Sequence, residues 1–505
     1  MFLAVILLGP QRGILKSYSA AKLGDHYGER MNLSLDGRGT LYEQIARAIK
    51  GSILDGQLAG NARLPSTRTL AVRLGVARKS VVEAYELLAT EGLVTPRVGI
   101  GTVVSVPRQS VPGDQRQPSV PAPTRYAERL RALPPLTLAG HRTQMRYNLQ
   151  YGAPFVNPGI YLSWTRKVSA AARRTGPGYG PSAGHPPLRA AVADYLSRRR
   201  GVLCEPEDVV IVSGTQQAIS LAARVLLNEG DRVAIEDPFY EMAVHALTAH
   251  GARIMFVPVD NEGLRVGDMP AADPARLVLV TPSHQFPSGV VMPLARRLEL
   301  LRWAASANAW ILEDDYDSEF HGGSRPVATL RSLDLTDRVI YVGSFSKSLF
   351  PALRIGYIVC PKALRGDFQL AKRLEDLGTP FLDQVALAHF IQSGLYERQL
   401  RRSVREVLRR RRALVDEVGG AMGRHVEVGP HEGGMHLVLW FPSLSSEQLG
   451  VVVARAAERG VGVQRVDPYY HVPPRAPGLL LGYASVTPGQ IHSAVGILAA
   501  CLRRA

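Results

Sequence analysis

Residues 339–347 read VIYVGSFSK, and residue 354 is an arginine. The apolar run predicts a buried strand over Val339–Gly343, so that Lys347 lies just beyond the end of this strand. A lysine buried there can form a Schiff base with an aldehyde, because desolvation lowers its pKa. The two serine hydroxyls and the guanidinium of Arg354 suit a phosphate group. A lysine in a serine-rich loop is more often a surface residue, so the stretch needs support from elsewhere.

Other apolar runs in the second half of the chain have the same length and character. We predict further strands over Val209–Ser213, Val233–Glu236, Leu277–Thr281 and Trp310–Glu313. Stretches of helical length separate these short β-branched runs. From about residue 145 to the end, the pattern therefore predicts an α/β domain with a mostly parallel sheet.

An acidic cluster, EDDY at 313–316, ends the strand that begins at Trp310. A carboxylate at this point can pair with a protonated pyridine nitrogen, and Tyr316 can hydrogen-bond a hydroxyl on the same ring. Acidic strand ends are more often helix caps or metal ligands. However, no histidine lies at metal-ligand spacing, and the acidic cluster alone is weak for magnesium. We therefore predict no metal site.

Two more strand ends carry residues that suit a planar, phosphorylated ligand. The segment SGTQQ at 213–217 precedes an apolar helix, Ala218–Leu227. Backbone N–H groups at a helix start bind phosphate, and Gly214 allows close approach. At the next strand end, Tyr240 offers a ring that can stack on a planar cofactor. Taken alone, such a glycine turn is ordinary, and Tyr240 is more typical of a core residue.

Together these four clusters resemble the fold-type I aminotransferase family, over roughly residues 145–500. The resemblance implies bound pyridoxal 5′-phosphate, with Lys347 as the catalytic residue that holds it in a Schiff base. Asp314 would meet the pyridine nitrogen, and Tyr316 the phenolic oxygen. The cofactor-binding set that the resemblance implies is Gly214, Thr215, Tyr240, Asp314, Tyr316, Ser344, Ser346, Lys347, Arg354 and Tyr179.

The last of these residues has a different expected role. Tyr179 lies in GYGPSAGHPPLR at 178–189, which looks like the family segment whose tyrosine reaches the phosphate from the other subunit. The resemblance therefore implies a homodimer with a shared site.

One departure from the family pattern concerns the ring oxygen of the cofactor. The family has Asn-Pro-(Thr/Ser)-Gly where this chain has FPSG at 286–289, inside TPSHQFPSG. The asparagine that supports the ring oxygen is therefore missing. His284 and Gln285 are the candidates to take part of its role.

A second departure concerns the substrate carboxylate. The family binds it with an arginine near the C-terminus, and a bidentate arginine is the usual means of fixing such a group. Here the matching position is Leu480, in GLLLGYA. Arg465 and Arg475 are the candidate substitutes, and the missing arginine argues against efficient transamination.

A separate pattern occupies residues 33–104. Periodic apolar residues predict a first helix near 41–54. Ser66 is a good N-cap for a short second helix, which Gly75 ends. After a tight turn, a third helix begins with Arg78-Lys79-Ser80. A short helix, a tight turn and a helix with cationic and hydroxyl residues at its start indicate a helix-turn-helix, whose second helix enters the major groove.

This block resembles the GntR-type winged helix. The resemblance rests on LYEQIARAIKGSILDGQL at 41–58, LPSTRTLAVRLGVARKSVVEAYELLATEGLV at 64–94 and GIGTVV at 99–104. It implies binding to double-stranded promoter DNA, with a two-stranded wing whose tip lies near Arg97. Arg68 would contact phosphate, and Gly99 would let the wing approach the minor groove. The full DNA-binding set expected is Arg68, Arg78, Lys79, Ser80, Arg97 and Gly99.

These observations divide the chain of 505 residues into four parts. We expect a disordered extension over 1–32, the winged helix over 33–105, a proline-rich linker over 106–144, and the aminotransferase-like domain over 145–505. The linker opens with VPRQSVPGDQRQPSVPAPTR at 106–125, whose composition cannot bury a core. The apolar run near the N-terminus ends at Gly9-Pro10 and is too short to span a bilayer.

The amino-acid composition excludes some classes of protein and suggests a class of partner. Hydrophobic residues make up 46% and charged residues 21%, which excludes a mainly disordered or fibrous chain. The three cysteines are far apart, so a disulfide scaffold is not expected and a reducing cytoplasm fits. The net charge of +16 suggests a polyanionic partner. Eight arginines within residues 398–412 contribute to it, as a solvated helix face or as a second DNA contact surface.

The order of winged helix, linker and aminotransferase-like domain resembles the MocR-type transcriptional regulators. The resemblance implies a regulator that senses pyridoxal phosphate, a small amine or amino acid, or both, through the Schiff base on Lys347. A genuine pyridoxal-phosphate-dependent aminotransferase with an appended DNA-binding domain is the alternative. The resemblance leaves open whether the large domain catalyses transamination.

Overall fold

The computed structural model describes residues 33–105, 121–135, 145–176, 178–270, 273–321 and 328–504. The chain divides into two compact units between Pro121 and Ala122. The extension predicted for residues 1–32 lies outside the described residues. So do residues 106–120 and 136–144 of the predicted linker.

The first unit contains three helices and a hairpin. These are α1 (Leu41–Leu54), α2 (Thr67–Leu74), α3 (Arg78–Thr90), β1 (Val94–Arg97) and β2 (Gly101–Val104). The Ser66 hydroxyl accepts a 3.1 Å hydrogen bond from the Thr69 N–H and so caps α2, which ends at Gly75 with a φ of 66°. The predicted winged helix-turn-helix is therefore present, and its helices enclose a core that includes Ile45, Val81 and Leu88.

The second unit begins with a helix that the sequence analysis did not anticipate. Helix α4 (Arg125–Ala132) lies within the segment expected to be a linker. Its Arg129 donates a 2.9 Å hydrogen bond to the carbonyl oxygen of Ala249 and pairs with Glu229 at 2.9 Å. The Tyr126 ring lies 5.6 Å from that of His250. These contacts attach α4 to the second unit.

The remaining elements of the second unit alternate between strands and helices. The other helices are α5 (Pro158–Arg174), α6 (Pro186–Arg200), α7 (Thr215–Leu226), α8 (Glu241–Ala249), α9 (Leu294–Ser306), α10 (Leu330–Leu333), α11 (Arg365–Asp376), α12 (Phe381–Gln392), α13 (Leu395–Met422), α14 (Ser446–Glu458) and α15 (Pro488–Leu502). The strands are β3 (Tyr147–Asn148), β4 (Val209–Val212), β5 (Arg232–Asp237), β6 (Arg253–Asp260), β7 (Gly263–Leu264), β8 (Leu277–Val280), β9 (Trp310–Asp315), β10 (Val339–Ser344), β11 (Gly356–Val359), β12 (Glu427–Val428), β13 (His436–Trp440), β14 (Val461–Gly462), β15 (Gln464–Arg465) and β16 (Gly478–Gly482).

The main sheet has eight strands in the order β4-β11-β10-β9-β8-β5-β6-β7. The run from β10 to β6 is parallel, whereas β11 is antiparallel to both of its neighbours and β7 is antiparallel to β6. Helices cover the central strands, which are buried on both faces and therefore read as continuous apolar runs. Each of the five predicted strands is present, with bounds within two residues of the prediction.

The C-terminal part forms a second, antiparallel sheet in the order β12-β13-β16-β15. A short parallel pair, β14 with β3, connects the start of the second unit to this C-terminal part. The structure thus contains an α+β winged helix followed by an α/β domain, as the sequence predicts.

The arginine-rich segment lies on α13, a helix of 28 residues. Six of the eight arginines are exposed, namely 398, 401, 402, 405, 409 and 412. Arg410 is instead buried, pairs with Glu406 at 2.9 Å and lies 4.7 Å from the centre of the Phe155 ring. Among the described residues, no helix has both the length and the apolar character needed to cross a membrane.

Candidate functional site

A cavity of about 540 Å³ opens at the carboxyl edge of the main sheet. The ends of β9 and β10 and the start of α7 contribute residues to its wall. Eight of the ten expected cofactor-binding residues line it, namely Thr215, Tyr240, Asp314, Tyr316, Ser344, Ser346, Lys347 and Arg354. Gly214 adjoins the cavity beside Arg354. Tyr179 is 92% exposed and does not line the cavity of its own chain.

Lys347 projects from the turn after β10 toward residues 151 and 152. Its Nζ donates a 3.0 Å hydrogen bond to the carbonyl oxygen of Gly152 and lies 4.4 Å from the centre of the Tyr151 ring. Burial of the amino group lowers the pKa of Lys347 to about 8, against the opposing effect of Asp317. A substantial fraction of this amine is therefore neutral, and nucleophilic, slightly above neutral pH.

The three acidic residues at the end of β9 have three different environments. Glu313 accepts 2.9 Å hydrogen bonds from the backbone N–H groups of residues 330 and 331, at the start of α10. Asp315 pairs with Arg200 at 2.7 Å inside the protein. Asp314 points to the other face of the strand and lines the cavity. Its Oδ1 is buried without a hydrogen-bond partner, and burial raises the pKa of this carboxyl to about 8.

Tyr316 is supported by His284, one of the two candidates for the missing asparagine's role. The His284 Nδ1 lies 3.1 Å from the Tyr316 hydroxyl oxygen and 3.1 Å from a carboxylate oxygen of Asp317. Gln285, the other candidate, instead donates 2.7 Å hydrogen bonds to the carbonyl oxygens of Pro238 and Phe286. These hydrogen bonds engage the Gln285 amide in the turn itself.

His284 and Asp317 also belong to a cluster that the sequence analysis did not identify. Together with His436 they place ligand-type atoms within 4.8 Å of one another in the protein interior. The hydrogen bond between His284 and Asp317 accounts for part of this proximity. Strand order brings these residues together from distant parts of the sequence, so spacing along the chain did not reveal the cluster.

The part of the cavity around Gly214 and Arg354 presents cationic and N–H groups. Gly214 precedes α7 with a φ of 89°, and a Cβ at this position would lie 3.3 Å from the Arg354 guanidinium. Arg354 donates a 2.7 Å hydrogen bond to the Ser213 carbonyl oxygen. The Ser344 and Ser346 hydroxyls lie 2.9 Å apart beside it. A helix start, a guanidinium and two hydroxyls form a site suited to phosphate.

The part of the cavity that would hold a substrate carboxylate lacks the family arginine. Leu480 is fully buried in an apolar cluster that includes Phe286 and Tyr469. Arg465 pairs with Asp467 at 2.8 Å, and Arg475 is exposed. Neither arginine lines the cavity, so neither takes the position of the missing family arginine.

Sequence reasoning missed several lining residues. Tyr151 and Gly152 come from the start of the second unit, whereas Gln464 and Tyr469 come from its C-terminal part. Each is joined to the site by contacts with residues far away in sequence. The aromatic-glycine pair in QYG at 150–152 is the one local signal that marks the segment.

In the first unit, the expected DNA-binding residues lie on α2, the start of α3 and the wing. Arg68, Arg78, Lys79, Arg97 and Gly99 are exposed, and Ser80 is half-buried. The Arg78 Nε donates a 3.3 Å hydrogen bond to the Thr67 hydroxyl. Gly99, at the tip of the β1–β2 hairpin, has a φ of 77°, a conformation that favours glycine.

Comparisons with known proteins bear on both units. The model of the family described as bacterial regulatory proteins, gntR family, matches residues 41–104, and that of aminotransferase class I and II matches residues 159–498. The chain is 35% identical over 465 residues to the probable rhizopine catabolism regulatory protein MocR of Rhizobium meliloti, covering 91% of this chain and 93% of the relative.

The chain belongs to the MocR-type transcriptional regulators of the GntR superfamily.

Another MocR-type relative is the pyridoxine biosynthesis transcriptional regulator PdxR of Corynebacterium glutamicum. It is 31% identical over 446 residues, which cover 88% of this chain and 91% of the relative. Among solved structures, the kynurenine aminotransferase of Pyrococcus horikoshii matches with a TM-score of 0.65 and 26% identity, over 76% of this chain and 95% of the enzyme. The MocR-type architecture, a helix-turn-helix DNA-binding unit with an aminotransferase class I domain, is thus shown over nearly the whole chain.

Proposed function

We propose that this regulator binds pyridoxal 5′-phosphate in the cavity and uses it, alone or with a small amine, to control transcription from promoter DNA. The observation that carries the proposal is the arrangement of three kinds of group around one cavity. The same cavity is lined by Lys347, by a phosphate-type group of residues at Arg354, and by Asp314, whose carboxylate Oδ1 is buried without a partner.

The residues present fit this cofactor. A buried carboxylate oxygen without a partner is costly, and a protonated pyridine nitrogen is the donor that would satisfy Asp314. A Cβ at Gly214 would lie 3.3 Å from the Arg354 guanidinium, so a side chain there would crowd the phosphate end. When bound, pyridoxal 5′-phosphate supplies an aldehyde that condenses with primary amines, and a ring that withdraws electrons.

The chain's own residues would hold and orient the cofactor. Lys347 presents a partly neutral amine, because burial lowers its pKa to about 8. Asp314 would retain a proton on the ring nitrogen once the carboxylate is paired with it. Tyr316, positioned by His284, would hydrogen-bond the ring oxygen, and Tyr240 would lie against the ring.

DNA recognition and assembly complete the proposal. A helix-turn-helix reads the major groove with the start of its second helix, which here carries Arg78, Lys79 and Ser80. The exposure of Tyr179 supports a homodimer in which this side chain reaches the site of the second copy. A ligand can shift DNA binding only if its affinity differs between the DNA-competent state and the other state.

The first test is spectroscopic. Reconstitution with pyridoxal 5′-phosphate should give a visible absorbance band that Lys347→Ala abolishes. Lys362→Ala, a substitution of an exposed lysine that does not line the cavity, is the matched control. An unchanged spectrum in Lys347→Ala would overturn the lysine assignment. A colourless reconstituted protein would favour a large domain that serves only as a dimerisation scaffold.

The second test concerns regulation and the alternative function. Footprinting on the upstream region of the protein's own gene, with and without pyridoxal 5′-phosphate, should show protection that depends on the cofactor. The nearly complete cofactor set keeps a genuine aminotransferase as the second candidate. Turnover of an amino donor with a keto acid at about 1–10³ per second would favour that candidate.

A further inference from the structure

We infer that the amine accepted by this site carries no carboxylate and has a neutral, hydroxyl-bearing body, as in an amino alcohol or an amino-polyol. The inference rests on the proposed function, because the amine would meet the cofactor held at Lys347. It narrows the class of effector from amines and amino acids to amines of one chemical kind.

The charge of the cavity wall disfavours a ligand carboxylate. Among the described residues that line the cavity, Lys347 and Arg354 are the cations, and the proposed cofactor uses both. The acidic side chains in the wall are Asp314, which would pair with the cofactor ring, and Glu241. This chain's part of the site therefore offers a ligand carboxylate no remaining cation.

An apolar residue occupies the position of the missing arginine. Leu480 lies on β16 between its register partners Val438 and Gln464. It packs with Phe286 and Tyr469 in a buried apolar cluster. Phe286 and Tyr469 also line the cavity, so this wall presents aromatic surface rather than charge.

The cavity also has a neutral polar lining. Gln150 and Gln464 line the cavity, and the Gln150 Oε1 is buried without a hydrogen-bond partner in the described structure. The Gln464 Oε1 accepts a 2.6 Å hydrogen bond from the Tyr151 N–H, and its Nε2 donates to the Tyr469 hydroxyl oxygen at 3.2 Å. The Tyr469 hydroxyl therefore keeps its own proton to donate.

Together these groups offer one unsatisfied acceptor, at Gln150, and one available donor, at Tyr469. Hydroxyl groups both donate and accept, so a hydroxylated ligand satisfies both residues. A carboxylate can only accept, so this group cannot donate to the Gln150 oxygen. A purely hydrocarbon body would leave both groups unpaired in a buried site, which is costly.

The test uses two probes that differ in one group. Serinol (2-amino-1,3-propanediol) is serine with its carboxylate replaced by a hydroxymethyl group. Each is titrated into the full-length protein loaded with pyridoxal 5′-phosphate, and binding is followed by the change in visible absorbance. Serinol should bind at least about tenfold more tightly than serine.

Two variants test which lining positions determine the preference for serinol over serine. Gln150→Leu should weaken serinol binding by roughly tenfold while the absorbance of the loaded protein without amine stays the same. Met242→Arg introduces a cation at a half-buried lining position in the first turn of α8, and should raise the affinity for serine relative to serinol. Thermal melting establishes that each variant is folded, and Gln150→Leu remains informative if Met242→Arg does not fold.

Failure of the inference differs from failure of the proposed function. If the loaded protein shows the Lys347-dependent absorbance and serine binds as tightly as serinol, the inference is wrong and the proposed function stands. If neither serinol nor serine changes the spectrum of the loaded protein, the inference is also wrong and the proposed function still stands. If no Lys347-dependent absorbance forms at all, the proposed function itself is wrong.

Discussion

The amino group of Lys347 lies 4.4 Å from the centre of the Tyr151 ring, near its face. The same amino group donates a hydrogen bond to the Gly152 carbonyl oxygen. The segment that contains residues 151 and 152 thus contacts the reactive lysine through both an aromatic ring and a backbone carbonyl. A cation near an aromatic face is stabilised by about 0.5–2 kcal/mol, so this contact favours the charged form of the lysine.

The first prediction follows from that contact. Tyr151→Leu removes the ring while burial remains, so the pKa of Lys347 should fall from about 8 by roughly one further unit. The pH at which the apoprotein reacts half-maximally with pyridoxal 5′-phosphate reports this value. Tyr151→Phe keeps the ring and should leave that pH nearly unchanged. Equal shifts in the two variants would mean that the ring face has no role.

A second prediction concerns Asp314. Asp314→Asn should weaken the binding of pyridoxal 5′-phosphate by at least roughly tenfold, because a neutral amide pairs poorly with a pyridinium. The same change should stabilise the apoprotein at pH 8. The pKa of Asp314 in the folded protein, about 8, is above its unfolded value, so this carboxyl costs stability as the pH rises from about 4 toward 8.

Two measurements check this prediction. Spectroscopic titration gives the dissociation constant of the cofactor, and melting curves of the two apoproteins give their stabilities from pH 4 to pH 8. The stabilising effect of Asp314→Asn should become small near pH 4, where the carboxyl is protonated in the folded protein and about half protonated in the unfolded chain. A melting temperature of the variant below that of the unsubstituted protein at pH 8 would contradict the assignment.

A third prediction concerns Asp315, the carboxylate next to Asp314. Asp315 and Arg200 form a buried pair at 2.7 Å, and Tyr341 also donates to Asp315. Asp315→Ala leaves the Arg200 charge buried and unpaired, and should lower the free energy of unfolding by about 3–5 kcal/mol. Denaturant unfolding of the apoprotein measures this loss. A cost near zero would show that Asp315 does not stabilise the fold by pairing with Arg200.

A fourth prediction concerns the winged helix. If Arg68 contacts a DNA phosphate, Arg68→Ala should reduce the slope of log K against log salt by roughly 0.9 for each copy bound. Binding to unrelated DNA should weaken by a similar factor, since phosphate contacts carry no sequence information. Lys50→Ala removes the same charge at a residue that pairs with Glu91 at 2.7 Å. Identical slopes in both variants would remove Arg68 from the contact set.

Much of the fold was predictable because its information is local. The central strands are buried on both faces, so each appears as a short apolar run that is visible in sequence. The cofactor residues follow these strands directly, and eight of the ten expected residues line one cavity. Ser66 and Gly75 likewise mark the ends of α2, because capping depends on the residues at the cap itself.

Other features were not predictable, for reasons that differ. Helix α4 lies next to a proline-rich stretch, and its stabilising contacts with Glu229 and Ala249 come from distant elements. Periodic apolar residues predicted α1, and Leu41 lies at the start of that pattern. However, this residue opens the helix and is 45% exposed. The different roles of Glu313, Asp314 and Asp315 were not predictable either, because they depend on the groups that face each side of β9.

The sequence by itself determined the order of the two domains, the central strands and the residues at their carboxyl ends. Only the tertiary structure decided that Tyr151 covers Lys347, that His284 supports Tyr316, and that Leu480 belongs to an apolar wall. The physical reason is that strand periodicity and helix caps depend on neighbouring residues. Contacts between distant residues depend instead on sheet order and on the pairing of β14 with β3, which no local pattern records.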